Sequence, residues 1–140
     1  MTARGSALVM PSVAFWFGLA AIAGVAGIAR ELWVVPRVGE LAAHQTGTVA
    51  VTAAFLAVIA AFVRHFNITP DEGVVIGMAW LAAAVVFEFG FGHYVDGLSW
   101  GHLLSDYDLT RGRLLLVVWM AVGVGPFILA RLLRVSDDGH

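Results

Sequence analysis

Residues 7–29 read ALVMPSVAFWFGLAAIAGVAGIA and are followed at once by Arg30 and Glu31. The run carries no charge. Crossing a hydrocarbon core about 30 Å thick takes roughly 20 apolar residues in a helix, so this stretch is long enough. Three further windows repeat the pattern. Residues 46–63 end at Arg64 and His65, residues 73–91 are uncharged apart from Glu88, and residues 114–130 end before Arg131 and Arg134. The expected fold is an all-α membrane protein, one domain over residues 1–140 with four transmembrane helices.

Composition leads to the same class. Charged residues make up 13% of the chain and hydrophobic ones 60%, whereas a soluble domain is about 25% charged. A water-soluble core this small could not hide so much apolar surface; lipid can. The uncharged run beginning at Gly5 is too long for the 7–15-residue apolar region of a signal peptide, so it is read as a span. There is no cysteine, which excludes thiol redox chemistry and cysteine-ligated metal centres. All eight basic residues are arginine and the net charge is −2. With no basic run, nucleic acid is not an expected partner. The expected partners are the lipid bilayer and either further copies of the chain or a membrane complex. A lysine-free chain rich in Gly, Ala and Val suits a GC-rich bacterial genome, and the expected location is the bacterial plasma membrane.

Local signals set the helix ends. Pro36 suits a first helical position, so the second helix is expected to begin as early as residue 36. Thr69-Pro70-Asp71-Glu72 combines a cap, a proline and two acids that the helix dipole favours. Gly123, Gly125 and Pro126 predict a kink or weakened turn late in the fourth span. Ala20, Ala23, Gly24 and Gly27 give small-xxx-small spacings in the first span, expected to allow close packing within the bundle. Trp33 and Trp100 fit interfacial anchors, and no cofactor is expected at the aromatic residues.

Four spans place both termini and residues 64–72 on one side. Arg4, Arg64, Arg131 and Arg134 fall there, against Arg30, Arg37, Arg111 and Arg113 opposite. The positive-inside count is tied and does not orient the chain. Antiparallel copies in one membrane would explain a tie. The preferred reading is that local ion pairs such as Arg30–Glu31 and Arg37–Glu40 consume the second set, leaving both termini cytoplasmic.

Potential chemistry gathers on the side opposite the termini. The loop after the third span is long for a turn, and Ser99 is placed to cap a short interfacial helix carrying Trp100, Leu103, Leu104 and Tyr107 on one face. Its other face would carry His102 and Asp106. Glu88 sits in an apolar span, where a carboxylate must be paired, protonated or wetted. It serves either as a proton- or ligand-binding group or as the partner of Arg30 or Arg113. Glu40, His44, Thr48 and Thr52 step by four along one helical face. Glu40/His44, Glu88/His93 and His102/Asp106 form three acid–histidine pairs. Metal sites in bundles use such ligands, making Glu40, His44, Glu88 and His93 weak candidates, yet no HExxH or ExxH motif is present. The candidate polar site comprises Arg30, Glu31, Glu40, His44, Glu88, His93, His102, Asp106, Arg111 and Arg113. Facing mid-span histidines for haem are missing, and Ser99 and Ser105 sit in no nucleophile elbow.

Residues 87–114, FEFGFGHYVDGLSWGHLLSDYDLTRGRL, together with RELWVVPRVGELAAHQTG over 30–47, resemble a family of small four-span bacterial integral membrane proteins. The matching positions include Arg30, Glu31, Pro36, Gly39, Glu40, Glu88, Gly90, Gly92, Ser99, Trp100, Asp106 and Arg111. The resemblance implies a four-helix membrane fold and no activity. Three functions fit the sequence: an oligomeric transporter or channel-like unit, an accessory subunit of a larger membrane complex, or a membrane-embedded metal-dependent enzyme.

Overall fold

The computed structural model describes residues 3–95, 97–105 and 114–137, which are almost entirely helical and contain no strand. Helix α1 (Ala3–Ala29) passes through a π-helical turn at Arg30–Val34 into a single turn, α2 (Val35–Val38). Helices α3 (Glu40–His65), α4 (Pro70–Tyr94) and α6 (Leu115–Asp137) follow, with the short α5 (Trp100–Ser105) between α4 and α6. Four helices are long and apolar enough to cross a membrane: Ala3–Val38, Glu40–His65, Pro70–Tyr94 and Leu115–Arg134. Helix is the form such segments must take, because lipid offers no partner for backbone N–H and C=O groups. The chain is thus an all-α, four-span bundle with a short helix between the third and fourth spans.

The first break falls at Gly39 rather than before Pro36. Gly39 takes φ 82° and ψ 166°, a conformation that suits a residue without Cβ. Pro36 instead continues the first helix. It has no N–H for the Leu32 carbonyl, and its ring would crowd that carbonyl in a regular helix. The widened turn just before it, closed by the Val35 N–H on the Arg30 carbonyl, accommodates the ring. The 36-residue run from Ala3 to Val38 is roughly 54 Å long at about 1.5 Å per residue.

Both expected caps form. The Thr69 hydroxyl accepts from the Glu72 N–H at 3.2 Å while the Glu72 carboxylate accepts from the Thr69 N–H at 2.9 Å, a complete capping box. Arg4 ties the start of α1 to this cap through a 2.6 Å ion pair with Glu72 and a 2.9 Å bond to the Asn67 carbonyl. At α5, the Ser99 hydroxyl accepts from the His102 N–H at 3.2 Å. Leu103 is buried, while Trp100 and Leu104 remain exposed, as an interfacial helix requires. Tyr107, expected on the same face, lies outside the described residues.

Packing is uneven. Helix α4 packs most extensively on α6, and α3 also lies along α6. The closest approach comes at Gly73 and Gly77 of α4. A Cβ at Gly77 would lie 2.0 Å from the Gly123 carbonyl oxygen, and one at Gly73 would lie 2.8 Å from the Pro126 oxygen. Gly24 and Gly27, singled out in the first span, have no such role. A Cβ at Gly18, Gly24 or Gly27 would meet nothing within 4 Å. Pro126 is fully buried inside an unbroken α6. Phe62, Ile59 and Ile68 centre the core, and Leu19 is the buried residue that α1 contributes.

Helix α1 meets α4 through a pair of indoles. Trp80 Nε1 donates to the Ser12 carbonyl at 3.0 Å, and Trp16 Nε1 donates to the Trp80 carbonyl at 3.1 Å. Buried indole N–H groups need partners; here each takes one from the facing helix. On either side of this clasp the two helices leave apolar space.

Candidate functional site

On the side opposite the termini, the π-helical turn, α3 and the start of α6 converge on His44. This ring is buried. Its Nε2 accepts from the Leu114 backbone N–H at 3.2 Å, and its Nδ1 lies 3.2 Å from Arg30 Nη1. The second guanidinium nitrogen of Arg30 pairs with Glu31 at 2.6 Å. Both neighbours of the ring are donors, and a neutral imidazole, with one acceptor nitrogen, accepts from only one of them. The arginine stem lies over Gly47, one turn beyond His44, where a Cβ would stand in ordinary contact 3.4 Å from Arg30 Cδ. The junction joins three spans through one side chain.

The polar stripe on α3 is spent largely on its own helix. The Thr48 hydroxyl donates to the His44 carbonyl at 2.8 Å, and Thr52 donates to the Thr48 carbonyl at 2.7 Å. Such back-bonding satisfies a hydroxyl in lipid without any aqueous path. Glu40 is exposed at the helix start and has an interaction partner.

His93 is engaged by the loop that follows it. Its Nδ1 donates to the Leu98 carbonyl at 2.9 Å, and its ring stacks on Trp100 with centroids 4.0 Å apart. Leu103 of α5 seats against Gly92, where an added Cβ would come within 2.6 Å of Leu103 Cδ2. The loop thereby folds back over the end of α4. His102 is exposed. Asp106, Arg111 and Arg113 lie outside the described residues.

Glu88 is half-buried and has an interaction partner. Arg30, one of the two partners expected for it, turns instead to Glu31 and His44. Among the described residues the ion pairs are Arg4–Glu72 and Arg30–Glu31. No group of three or more histidine, aspartate or glutamate side chains among them could hold a metal ion. The weak metal candidates Glu40, His44, Glu88 and His93 are not assembled into such a set.

The structure does place Glu88 on a cavity. Beyond the Trp16–Trp80 clasp, α1 diverges from α4 and α6 and leaves about 660 Å³. The walls come from Leu19, Ala20, Ala23 and Gly24 of α1, Phe87, Glu88 and Phe91 of α4, Leu103 of α5, and Val118 and Trp119 of α6. Exposed Ala23, Gly24, Phe87 and Phe91 form its margins, so it opens sideways, toward lipid. A second apolar space of about 620 Å³ lies between α1 and α4 on the side of the termini, beside Ser12, Val13, Asp71 and Val75. Sequence reading singled out Glu88 but could not find the cavity, because the signal is the divergence of two helices rather than any residue.

Comparison with protein-family models, curated proteins and solved structures gave no match.

Proposed function

We propose that this chain is a small carrier-type membrane unit that takes an amphiphilic ligand sideways from the bilayer, working as an oligomer. The cavity of about 660 Å³ between α1, α4 and α6 carries this reading. It has the size of a site for a drug-sized ligand, about 300–1,000 Å³, and its margins face lipid. A hydrophilic solute finds less support. Among the described residues the buried polar side chains are His44 and Thr48, and the Thr48 hydroxyl is bonded to its own helix. We place the protein in a bacterial plasma membrane with both termini cytoplasmic. On that side Arg64, Arg131 and Arg134 form no ion pair among the described residues, although Arg4 pairs with Glu72; on the opposite side Arg30 pairs with Glu31, while Arg37 donates to the Trp33 carbonyl rather than pairing with an acid among the described residues.

The test is native mass spectrometry of the protein carried in bilayer nanodiscs. The wild-type chain is expected to retain an amphiphile. Gly24→Leu, which projects a side chain from the cavity wall, should lose it. Gly18→Leu, also in open space but away from the wall, should keep it. Retention by neither the wild type nor Gly18→Leu, or equal retention by all three, would overturn the reading.

An accessory subunit is the second reading, favoured by the open space at Gly18, Gly24 and Gly27, which leaves α1 free to pack against a partner helix. The metal-dependent enzyme expected as a third function has no supporting ligand set among the described residues.

A further inference from the structure

The cavity between α1, α4 and α6 has two ends. Trp16, Ala84 and Val122 lie at the inner one, next to the Trp16–Trp80 clasp, and Gly92, Leu98 and Leu103 at the outer one, on the face opposite the termini. At the outer end the segment after α4 supplies the wall. Leu103 is 5% exposed and fills the notch over Gly92. Among the described residues, the hydrogen bonds and ring contacts that residues 97–105 make outside their own segment all go to the last turns of α4. The Leu98 N–H donates to the Gly92 carbonyl at 2.9 Å, and His93 Nδ1 donates to the Leu98 carbonyl at 2.9 Å. The Trp100 ring stacks on His93 and, with centroids 6.3 Å apart, on Phe89.

We propose that residues 97–105 are a lid: hinged at Gly97, they lift from the end of α4 and open the cavity to water on the face opposite the termini. Gly97 has φ 69°, a conformation that glycine adopts without penalty, and hinges are a few loop residues that absorb the backbone change. A segment held by few contacts opens far more readily than the whole fold. Here the attachments are local, running from residues 97–105 to residues 89–93 of the helix just before them. Lifting breaks them and withdraws Leu103 from Gly92, while the close α4–α6 packing at Gly73 and Gly77, at the other end of α4, stays as it is. The device rests on the sideways-entry reading above and adds its second half: a ligand that enters from lipid leaves to water past Leu98 and Leu103.

The test places Ala84→Cys, at the inner end of the cavity, in the cysteine-free full-length chain in sealed lipid vesicles. A membrane-impermeant methanethiosulfonate attacks a thiolate reached through water, and a thiol in apolar surroundings reacts slowly. From the face that carries His102, the chain with an intact lid should react slowly. Adding His93→Ala, which removes one bond and the stack, should raise the rate tenfold or more from that face and leave it unchanged from the other. Where His93→Ala does not fold, Trp100→Ala, at a half-exposed ring, should give the same rise. Ala79→Cys, in the second apolar space, is the control, and its rate should change with neither variant. An Ala84→Cys rate unaltered by both lid variants, or a rise matched at Ala79→Cys, overturns the lid. If the rate is unaltered while the wild-type chain retains an amphiphile in nanodiscs, the lid falls and the sideways reading stands. If the rate rises as expected and nothing is retained, the lid stands as a water gate and the sideways reading falls.

Discussion

Gly77→Ala is expected to lower the stability of the bundle markedly, although alanine is the better helix former. On an open helix face the exchange favours the folded chain by about 0.5–1 kcal/mol. At Gly77 the added methyl would stand 2.0 Å from the Gly123 carbonyl oxygen and 2.9 Å from its carbon. Those are backbone atoms and cannot swing aside. Helices α4 and α6 must separate, and overpacking of this kind costs about 1–3 kcal/mol and occasionally more. The repulsive effect wins. Gly24→Ala gives the internal comparison, since its Cβ meets nothing within 4 Å and the change should be neutral or slightly stabilising. Gly123→Ala should fall between them, because its nearest neighbour at 3.0 Å is the movable end of Leu81. Melting curves of the three variants in one detergent check the order. A Gly77→Ala chain as stable as Gly24→Ala would show that α4 and α6 do not meet at this point.

His44→Ala is expected to be the most damaging change on the side opposite the termini. It removes the acceptor for the Leu114 N–H and the neighbour of the Arg30 guanidinium in one step. A buried donor left without its acceptor costs about 1–3 kcal/mol, and truncating the buried ring adds a cavity. A loss of about 2–4 kcal/mol follows, roughly 3–5 °C in melting temperature for each kcal/mol at this chain length. His44→Gln retains one acceptor oxygen and should recover part of the loss. Thr48→Val, by contrast, removes only a hydroxyl bonded to its own helix and should change little. If His44→Ala and Thr48→Val melt alike, the three-helix junction contributes nothing to stability.

The parts of this fold that were legible in the sequence are those governed by local physics. Four charge-bounded apolar windows are spans because no other structure suits them in lipid. The caps at Thr69 and Ser99 involve residues three apart and were readable for that reason. Close helix packing was not. The small residues of α1 and the Gly73–Gly77 pair of α4 have equivalent spacing, and only the position of α6 decides which is used. Pro36 satisfies the rule for a helix start, yet the chain turns at Gly39, where a positive φ is needed. His44 was named as a candidate, but its partner is a backbone N–H 70 residues away, which no side-chain pattern reveals. Glu88 was identified by its cost in lipid. The cavity that gives it a possible use depends on α1 leaving α4, a property of tertiary structure alone.

The proposed function requires the chain to cross the bilayer four times, with the His44 junction and the Glu88 cavity toward the face opposite the termini. Single cysteines in this cysteine-free chain test that most directly. Ser6→Cys, Asp71→Cys and His102→Cys are each exposed in sealed vesicles to a membrane-impermeant maleimide, before and after permeabilisation. The account predicts that Ser6→Cys and Asp71→Cys react from one side and His102→Cys only from the other. Labelling of Asp71→Cys and His102→Cys from the same side would contradict it.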